Sequence, residues 1–194
     1  MVPRMNTADE FFKKYRAALQ LGEIDASQAS PLNLAYIGDC IYDLAVREYV
    51  LTHYAGSLNE LNRRKTTFVC AHAQSEIMGY FIAENILTEG ELHIYKRGRN
   101  QKSETHSKNS KIQEYRRATG FEALIGYLYL NHQYERVMEL EAKGIQHLVH
   151  LDETIGAIRH VREDETEVLQ KAAGEVMPSE EERSSDAVLP TEEE

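Results

Sequence analysis

Apolar residues recur along most of the chain at intervals of three and four, the spacing of one face of an α-helix. No stretch of useful length alternates with the two-residue period of a strand, so we predict an all-α fold. Ser30 can cap a helix and Pro31 suits its first turn. The helices are predicted over residues 7–21, 32–53, 57–69, 71–85, 112–131 and 135–161.

A polar segment interrupts this pattern between the fourth and fifth of these helices. It has the sequence KRGRNQKSETHSKNS, residues 96–110, and contains no apolar side chain. Glycine, serine and asparagine are frequent in it, and these residues favour turns and loops. We therefore predict a mobile, basic surface loop over this segment.

The net charge of −10 is concentrated at the carboxyl terminus. Residues 163–194 hold twelve acidic and two basic side chains, while the preceding 162 residues hold 20 of each and are neutral overall. A strongly acidic segment with few apolar residues cannot bury enough surface to offset its ordering entropy. We therefore predict a tail that is disordered past about Leu169, and the net charge says little about the folded part.

Length and composition favour one domain inside the cell. At 194 residues the chain is long enough for one well-buried core. No apolar run approaches the roughly 18 residues that a membrane helix requires, and the first residues lack the apolar centre of a secretory signal. Cys40 and Cys70 lie in apolar or helical patterns, and we interpret both as reduced and buried. These features predict a cytoplasmic protein with no membrane partner.

Two predicted helices carry a carboxylate among apolar residues. In LAYIGDCIYDL, residues 34–44, Asp39 directly follows Gly38, a residue that lets another group approach the helix closely. In FEALIGYLYL, residues 121–130, Glu122 is the acid in an otherwise apolar run. Burying an ionised carboxylate is costly unless it is paired or binds a cation.

Each acid alone also has an ordinary structural explanation. A single carboxylate in an apolar helix is usually paired with an arginine or placed at a helix edge in water, and Asp43 is interpreted as structural. Taken together, Asp39 and Glu122 could converge in a common cleft. Their oxygens suit Mg²⁺ or Mn²⁺, and the eight histidines show no ligand spacing for a softer metal.

These segments resemble the motifs of a known family. LAYIGDCIYDLAVREYVL, residues 34–51, resembles the signature helix of the ribonuclease III family, and ATGFEALIGYLYL, residues 118–130, resembles its second catalytic motif. LNRRKTTFV, residues 61–69, is similar to the intervening helix. Residues 96–130 resemble in particular the Mini-ribonuclease III branch, which is short, bacterial and without a separate RNA-binding domain. The resemblance covers roughly residues 25–145 and implies a ribonuclease III-type helical endonuclease domain.

The resemblance also implies a division of the chain into three regions. The catalytic domain occupies residues 27–162, a helical extension precedes it over residues 1–26, and the acidic tail follows over residues 163–194. The sequence does not give the role of either flanking region. A basic ribosomal protein is a candidate partner for the tail, and a tail without a partner is the alternative.

Residue by residue, Asp39 matches the signature aspartate and Glu122 the glutamate of the second motif, both of which bind catalytic magnesium in the family. Three acids of full-length ribonuclease III are replaced here by Leu32, Ala35 and Thr119. The Mini-ribonuclease III branch resembles this chain at those positions, so the departures do not imply inactivity. They leave the number of metal ions open and imply that water and RNA phosphate oxygens complete the coordination.

The implied reaction is metal-assisted hydrolysis of double-stranded RNA. Magnesium held by Asp39 and Glu122 activates a water for in-line attack on a phosphate and stabilises the leaving 3′-oxygen, which gives 5′-phosphate and 3′-hydroxyl ends. A homodimer with one acidic site for each strand is implied. Tyr36 matches the aromatic position of its interface, although a core tyrosine fits the sequence nearly as well. The implied substrate is the precursor of the large-subunit ribosomal RNA.

Basic residues precede the second carboxylate in sequence. Residues 96–117 hold eight basic and two acidic side chains and lead into the helix that carries Glu122. A basic run is usually a solvated surface, but contacts to phosphates require such residues, and double-stranded RNA is recognised mainly by shape. The candidate RNA-binding residues are Arg64, Lys65, Arg97, Arg99, Lys102 and Lys108.

Two other functions have to be distinguished from the endoribonuclease. A non-catalytic RNA-binding ribosome-assembly factor on the same fold would need neither Asp39 nor Glu122. An all-helical metal-dependent nucleotide hydrolase would carry an HD dipeptide among other histidines or paired ExxE segments, which this sequence lacks. We therefore expect the endoribonuclease.

Overall fold

The computed structural model describes residues 7–101 and 109–174, with side chains described over residues 10–101 and 112–154. Within these residues the chain is helical and forms no strand, which confirms the predicted all-α fold. No helix among them is both long and apolar enough to cross a membrane. The helices are α1 (Thr7–Ala18), α2 (Pro31–His53), α3 (Leu58–Val69), α4 (Ala71–Ala83), α5 (Glu89–Arg99), α6 (Asn109–Leu130) and α7 (Tyr134–Gly174).

Capping side chains fix where two of the predicted helices begin. At α2 the Ser30 hydroxyl accepts a hydrogen bond from the backbone N–H of Asn33 at 3.2 Å, and Pro31 occupies the first turn. At α3, Ser57 and Glu60 form a reciprocal capping box. These local signals explain why both helices begin within one residue of their predicted positions.

The apolar pattern gave no sign of α5. This helix begins at a second capping box, between Thr88 and Glu91. Glu91 is buried and forms an ion pair with Arg136 of α7, with Arg136 Nε 2.7 Å from Glu91 Oε1. Polar contacts with a helix far along the chain therefore stabilise α5, and a search for apolar periodicity does not detect them.

The loop predicted over residues 96–110 is wrong at both ends. Its first residues form the last turn of α5, which ends at Arg99, and α6 already begins at Asn109. Basic side chains in a last turn interact favourably with the carboxyl end of a helix dipole, which helps to explain why this polar segment is helical. The remainder of the predicted loop, residues 102–108, lies outside the described residues.

Helix α6 is the centre of the folded core and packs against α2, α4 and α5. Most side chains over residues 118–128 are buried, as the apolar run around Glu122 predicts. The core combines aromatic and aliphatic side chains from several helices: Tyr42, Val46, Phe68, Ile77, Met78, Phe81, Tyr95, Phe121, Leu124 and Leu140.

The chain forms two compact units, residues 1–149 and residues 150–194. The first contains α1 to α6 and the beginning of α7, and the second contains the rest of α7. Because α7 continues to Gly174, the last helix was predicted too short. Glutamate and alanine are good helix formers, and this extension, residues 162–174, holds three glutamates and two alanines. The predicted domain boundaries remain predictions, and residues 175–194 lie outside the described residues.

Both cysteines are free thiols, but they differ in exposure. Cys70 is partly buried between α3 and α4, whereas Cys40 is exposed, so its predicted burial is wrong. Helix α2 is apolar on most of its circumference, and some of its apolar residues, such as Leu44, also face outward. Hydrophobicity without a polar face does not reveal which side of a helix is buried.

Candidate active site

Helices α2 and α6 cross at a close contact that depends on glycine in both helices. A Cβ atom at Gly38 would overlap the carbonyl oxygen of Glu122 and lie 2.7 Å from the amide nitrogen of Gly126. A Cβ atom at Gly126 would in turn overlap the carbonyl oxygen of Leu34. The close approach predicted at Gly38 is confirmed, and it sets the separation of the helices that carry the candidate carboxylates.

This crossing brings Asp39 and Glu122 to one site. Asp39 directly follows Gly38 and is exposed, whereas the Glu122 side chain is partly buried. The two carboxylates are close enough that the charge of Asp39 raises the pKa of Glu122. Two acids that are far apart in sequence thus interact electrostatically across the contact between α2 and α6.

The surroundings of Glu122 disfavour its ionised form. Burial is the largest effect, and together with the Asp39 charge it raises the pKa of Glu122 to about 7, while the Gln74 side chain lowers it. A cation near both carboxylates would favour their ionised forms, because opposite charges lower a carboxyl pKa.

Within the part of the chain that the structure describes, neither carboxylate is neutralised by a basic side chain. Among the described residues, no lysine, arginine or histidine forms an ion pair with Asp39 or Glu122. The same part of the chain contains no group of three or more His, Cys, Asp or Glu side chains that could hold a metal ion. Two carboxylates fit Mg²⁺, which is usually bound through one or two carboxylates and keeps several waters.

Asp43 does not belong to this unpaired set. Its carboxylate forms ion pairs with Arg47 and with Lys65, whose Nζ lies 2.9 Å from Asp43 Oδ1. Burial alone would raise the pKa of Asp43, but the two basic partners outweigh burial and lower it. These contacts agree with the structural role expected for Asp43.

The candidate RNA-binding residues on α3 have contacts within the protein. Lys65 is held by Asp43, and the Arg64 guanidinium lies over the Tyr54 ring at 4.5 Å from its centroid. A phosphate group would have to compete with Asp43 for Lys65. The roles of Arg64 and Lys65 in RNA binding remain predictions.

Arg97 and Arg99 lie in the last turn of α5. The Arg97 guanidinium donates hydrogen bonds to the backbone carbonyl oxygens of Ser27 at 3.3 Å and Ala29 at 3.2 Å, and so connects α5 to the segment before α2. Arg99 lies over the Tyr95 ring, 5.7 Å from its centroid. The RNA-binding roles of this region remain predictions, and two of its candidates lie outside the described residues: Lys102 and Lys108.

Tyr36 is 76% exposed on the outward face of α2, so the alternative of a core tyrosine is wrong. Leu44 and Leu51 are 59% and 68% exposed, and Cys40 is exposed as well. At 3.6 residues per turn, these four side chains lie within about 80° of one another around the helix. We call this set the α2 stripe. An apolar stripe of this kind is typical of a surface that binds a partner.

Sequence reasoning missed Gln74, a residue of α4 that is 1% exposed and acts on the Glu122 carboxylate. The position of Gln74 in the helical repeat was the available signal. It precedes Ile77, Met78 and Phe81 by three, four and seven residues, and these three side chains are fully buried. A polar side chain in such a row is expected to be buried and to need a polar partner.

Three comparisons identify similar proteins. The family model of the Ribonuclease III domain matches residues 32–133, which include both carboxylates. The Mini-ribonuclease 3 of Clostridium tetani is 44% identical over 131 residues, which cover 66% of this chain and 84% of the relative. The Mini-ribonuclease 3 of Enterococcus faecalis is 47% identical over 116 residues, 60% of this chain and 88% of the relative. The crystal structure of a Fusobacterium nucleatum protein is similar with a TM-score of 0.55 and 33% identity, covering 64% of this chain and 98% of that one.

Proposed function

The chain belongs to the ribonuclease III family, in its Mini-ribonuclease 3 branch, and on this basis we propose that it is a divalent-metal-dependent endoribonuclease that cleaves double-stranded RNA. The observation that carries the proposal is the convergence of Asp39 and Glu122, with no basic partner for either among the described residues. A partly buried carboxylate beside a second carboxylate is unfavourable unless a cation joins them.

Asp39 and Glu122 would together hold Mg²⁺, or Mn²⁺ in its place. When bound, the ion supplies a Lewis acid that activates water and stabilises the leaving 3′-oxygen. Asp39 contributes its carboxylate from the exposed side of the site and Glu122 from the buried side. The backbone contact at Gly38 keeps the two helices in place, so the ligand geometry does not have to be assembled when RNA arrives. In-line attack by water would leave 5′-phosphate and 3′-hydroxyl ends.

A homodimer formed through the α2 stripe would provide one such site for each strand. In a twofold interface the same surface is used by both subunits, so a single apolar helix face is sufficient to form it. Tyr36 lies one turn before Cys40 on this face and next to Asp39 in the same turn of α2, so the interface would lie close to the site. Two sites related by the twofold axis would then cut the two strands of one duplex.

Basic side chains would position the duplex through its phosphates. The neutral balance of residues 1–162 allows this despite the overall charge, because residues 163–194 carry the whole excess of acid. We propose the stem of the large-subunit ribosomal RNA precursor, in the cytoplasm, as the cellular substrate, and a basic ribosomal protein as a partner of the tail. The residues proposed to contact phosphates are Arg64, Lys65, Arg97, Arg99, Lys102 and Lys108.

A non-catalytic RNA-binding ribosome-assembly factor is the competing function on the same fold. Such a factor could use the α2 stripe and the basic residues, but it would gain nothing from Asp39 and Glu122. Placing two carboxylates together is unfavourable in the absence of an ion, and it would also repel RNA phosphates. The unneutralised pair therefore favours the enzyme.

The test is incubation of the whole chain with long double-stranded RNA, with Mg²⁺ and with EDTA, alongside Asp39→Asn and Glu122→Gln. We expect cleavage that requires Mg²⁺ and is reduced roughly a hundredfold or more in either variant, because even residues that only support a metal ligand are worth about 10–100-fold. Glu84→Gln is the matched control, since Glu84 is an exposed acid at the end of α4. Full activity in either carboxylate variant would overturn the catalytic assignment. Binding of the duplex without cleavage by the wild type would favour the assembly factor.

A further inference from the structure

A groove lies between α2 and α7, and two adjoining cavities form it. Their volumes are about 720 and 550 Å³, within the range of about 300–1,000 Å³ that is usual for small-molecule sites. Asp39 and Glu122 line neither cavity, so the groove is distinct from the candidate active site. The residues that line both cavities, and so join them into one groove, are Ala45, Glu48, Met138 and Glu141.

The lining of the groove is largely apolar and aromatic. Leu51 and Ile145 line the larger cavity, and the smaller cavity is lined by five aromatic side chains from three helices: Phe11, Phe12, Tyr15, Tyr129 and Tyr134. These rings pack against one another, and the stacked rings of Phe12 and Tyr134 have centroids 4.6 Å apart. Such a surface suits the hydrocarbon part of a ligand, and the faces of aromatic rings also attract cations.

The charged side chains that line the groove are both acidic. Among the described residues, no lysine, arginine or histidine lines either cavity or forms an ion pair with Glu48 or Glu141. Glu141 is 7% exposed, and its Oε1 has no hydrogen-bond partner in the part of the chain that the structure describes. A buried carboxyl group without a partner is unfavourable, so its position on an apolar groove points to a ligand that satisfies it.

We propose that the groove between α2 and α7 binds a linear aliphatic amine, whose ammonium groups pair with Glu141 and Glu48 and whose hydrocarbon chain lies along the apolar lining. Two carboxylates favour an amine that carries at least two charges. A hard metal ion does not match the groove, because such ions need several oxygen ligands, and no group of three or more His, Cys, Asp or Glu side chains among the described residues could hold one. The proposed site does not depend on the nuclease activity.

Binding of an amine in the groove should release a proton from Glu141. Burial raises the pKa of Glu141 to about 8, so the free protein holds this carboxyl group protonated at neutral pH. A bound ammonium group favours the ionised form, and the proton then passes to the buffer. A purely structural Glu141 would release none. The other titratable groups that line the groove or interact with Glu141 carry no positive charge: Tyr15, Tyr42, Glu48, Tyr49, Tyr129 and Tyr134.

The test is titration calorimetry of the whole chain with cadaverine, a linear diamine, at pH 7 in EDTA and in two buffers that differ in ionisation enthalpy. We expect saturable binding and the release of about one proton for each amine bound. Glu141→Gln should weaken binding about 10–100-fold, the effect of losing a hydrogen bond to a charged group, and should abolish the proton release. Glu48→Gln changes an exposed side chain and should weaken binding about two- to fivefold with the proton release retained. Pentanediol, the uncharged analogue of the same chain length, should not bind.

Glu135→Gln is the matched control, since Glu135 is an exposed acid in the first turn of α7 and lines neither cavity. It should bind cadaverine like the wild type. An equal loss of affinity in Glu135→Gln and Glu141→Gln would show a general attraction to an acidic chain and overturn the proposal. Binding without proton release by the wild type would also overturn it, and this readout does not require the Glu141→Gln variant to fold. Absence of binding to the wild type would overturn it as well, including the case in which a second copy covers the groove through the α2 stripe.

Discussion

The backbone of Gly38 lies so close to Glu122 that a Cβ atom at position 38 would overlap the Glu122 carbonyl oxygen. Glu122 is one of the two candidate metal ligands, and the other, Asp39, directly follows Gly38. One contact between α2 and α6 therefore positions both carboxylates. A change in the packing of these helices should consequently affect stability and catalysis together.

Gly38→Ala should lower both stability and activity. The added methyl group must push α2 away from α6, and overpacking of this kind costs about 1–3 kcal/mol or more. We expect a lower Tm by circular dichroism and a loss of about a hundredfold in RNA cleavage, the effect of a displacement near 1 Å. Gly79→Ala is the matched control, because a Cβ atom at Gly79 would meet nothing within 4 Å and alanine favours a helix. Equal Tm values for the two variants would contradict the close crossing.

Mg²⁺ should raise the Tm of the wild-type chain, and EDTA should reverse the shift. An ion that binds only the folded state stabilises it by about 2.7 kcal/mol at a hundred times its Kd. Asp39→Asn and Glu122→Gln should lose most of this shift when measured by differential scanning fluorimetry. An equal Mg²⁺ shift in the wild type and both variants would place the ion at some other site.

Neutralising Arg99 and Lys102 should weaken the salt dependence of RNA binding. Each phosphate contact that is lost should reduce the slope of log K against log salt by about 1, measured in the Glu122→Gln background to prevent cleavage. Arg97→Gln should in addition lower Tm, because its guanidinium holds two backbone carbonyl groups before α2. Lys143→Gln, a basic residue of α7 paired with an acid on its own helix, should leave the slope unchanged. A slope that does not change on losing Arg99 and Lys102 would exclude them from the RNA interface.

An acidic side chain on the α2 stripe should dissociate the proposed dimer. Tyr36→Asp and Leu44→Asp each place a charge on a surface that would be buried between two copies, which is strongly unfavourable without a partner charge. Sedimentation velocity should show a shift from dimer to monomer. Ile82→Asp is the control, since Ile82 is 46% exposed but lies on α4 and not on α2. A wild type that sediments as a monomer at micromolar concentration would contradict the dimer.

Features encoded in neighbouring residues were the ones that the sequence predicted well. The helix start at Ser30-Pro31 depends on two adjacent residues, and the close approach at Gly38 follows from the absence of a side chain. The joint metal site of Asp39 and Glu122, which the cost of burying a carboxylate and a family resemblance suggested, stays a prediction. Each of these signals can be recognised in a short segment, without knowledge of the tertiary partner.

Features that depend on a distant partner could not be predicted in this way. Helix α5 is stabilised by the ion pair of Glu91 with Arg136, and Gln74 of α4 lowers the pKa of Glu122 of α6. The exposure of Cys40 depends on which side of α2, a helix with apolar residues on most of its circumference, meets the core. Only the tertiary structure supplies that information, because apolar periodicity does not fix the orientation of such a helix.

Glu141 of α7 is a second buried acid, and its protonation should make the stability of the chain depend on pH. It is 7% exposed, its Oε1 has no hydrogen-bond partner among the described residues, and burial raises its pKa to about 8. The titratable groups near it from other helices include Tyr42, Glu48 and Tyr49 of α2, Tyr15 of α1 and Tyr129 of α6, and none of these supplies a positive charge. The folded state therefore holds a proton on Glu141 at neutral pH.

Because the folded pKa of Glu141 lies above its unfolded value of about 4.5, the folded state binds more protons than the unfolded state between these values. The free energy of unfolding should accordingly fall as pH rises from about 5 to 8, and Glu141 should contribute roughly 2–4 kcal/mol to this fall. Above pH 8 the free energy of unfolding should level off. Glu141→Gln keeps the shape of the side chain but removes the group that titrates. Urea unfolding at pH 6 and pH 9 should therefore show a smaller change in the free energy of unfolding for this variant than for the wild type. At pH 9 the variant should be more stable than the wild type. Glu139→Gln is the control, since the pKa of Glu139 is lowered by Arg136, and it should give no gain at high pH. If Glu141→Gln retained the full pH dependence of the wild type, the buried carboxyl group would not be its source.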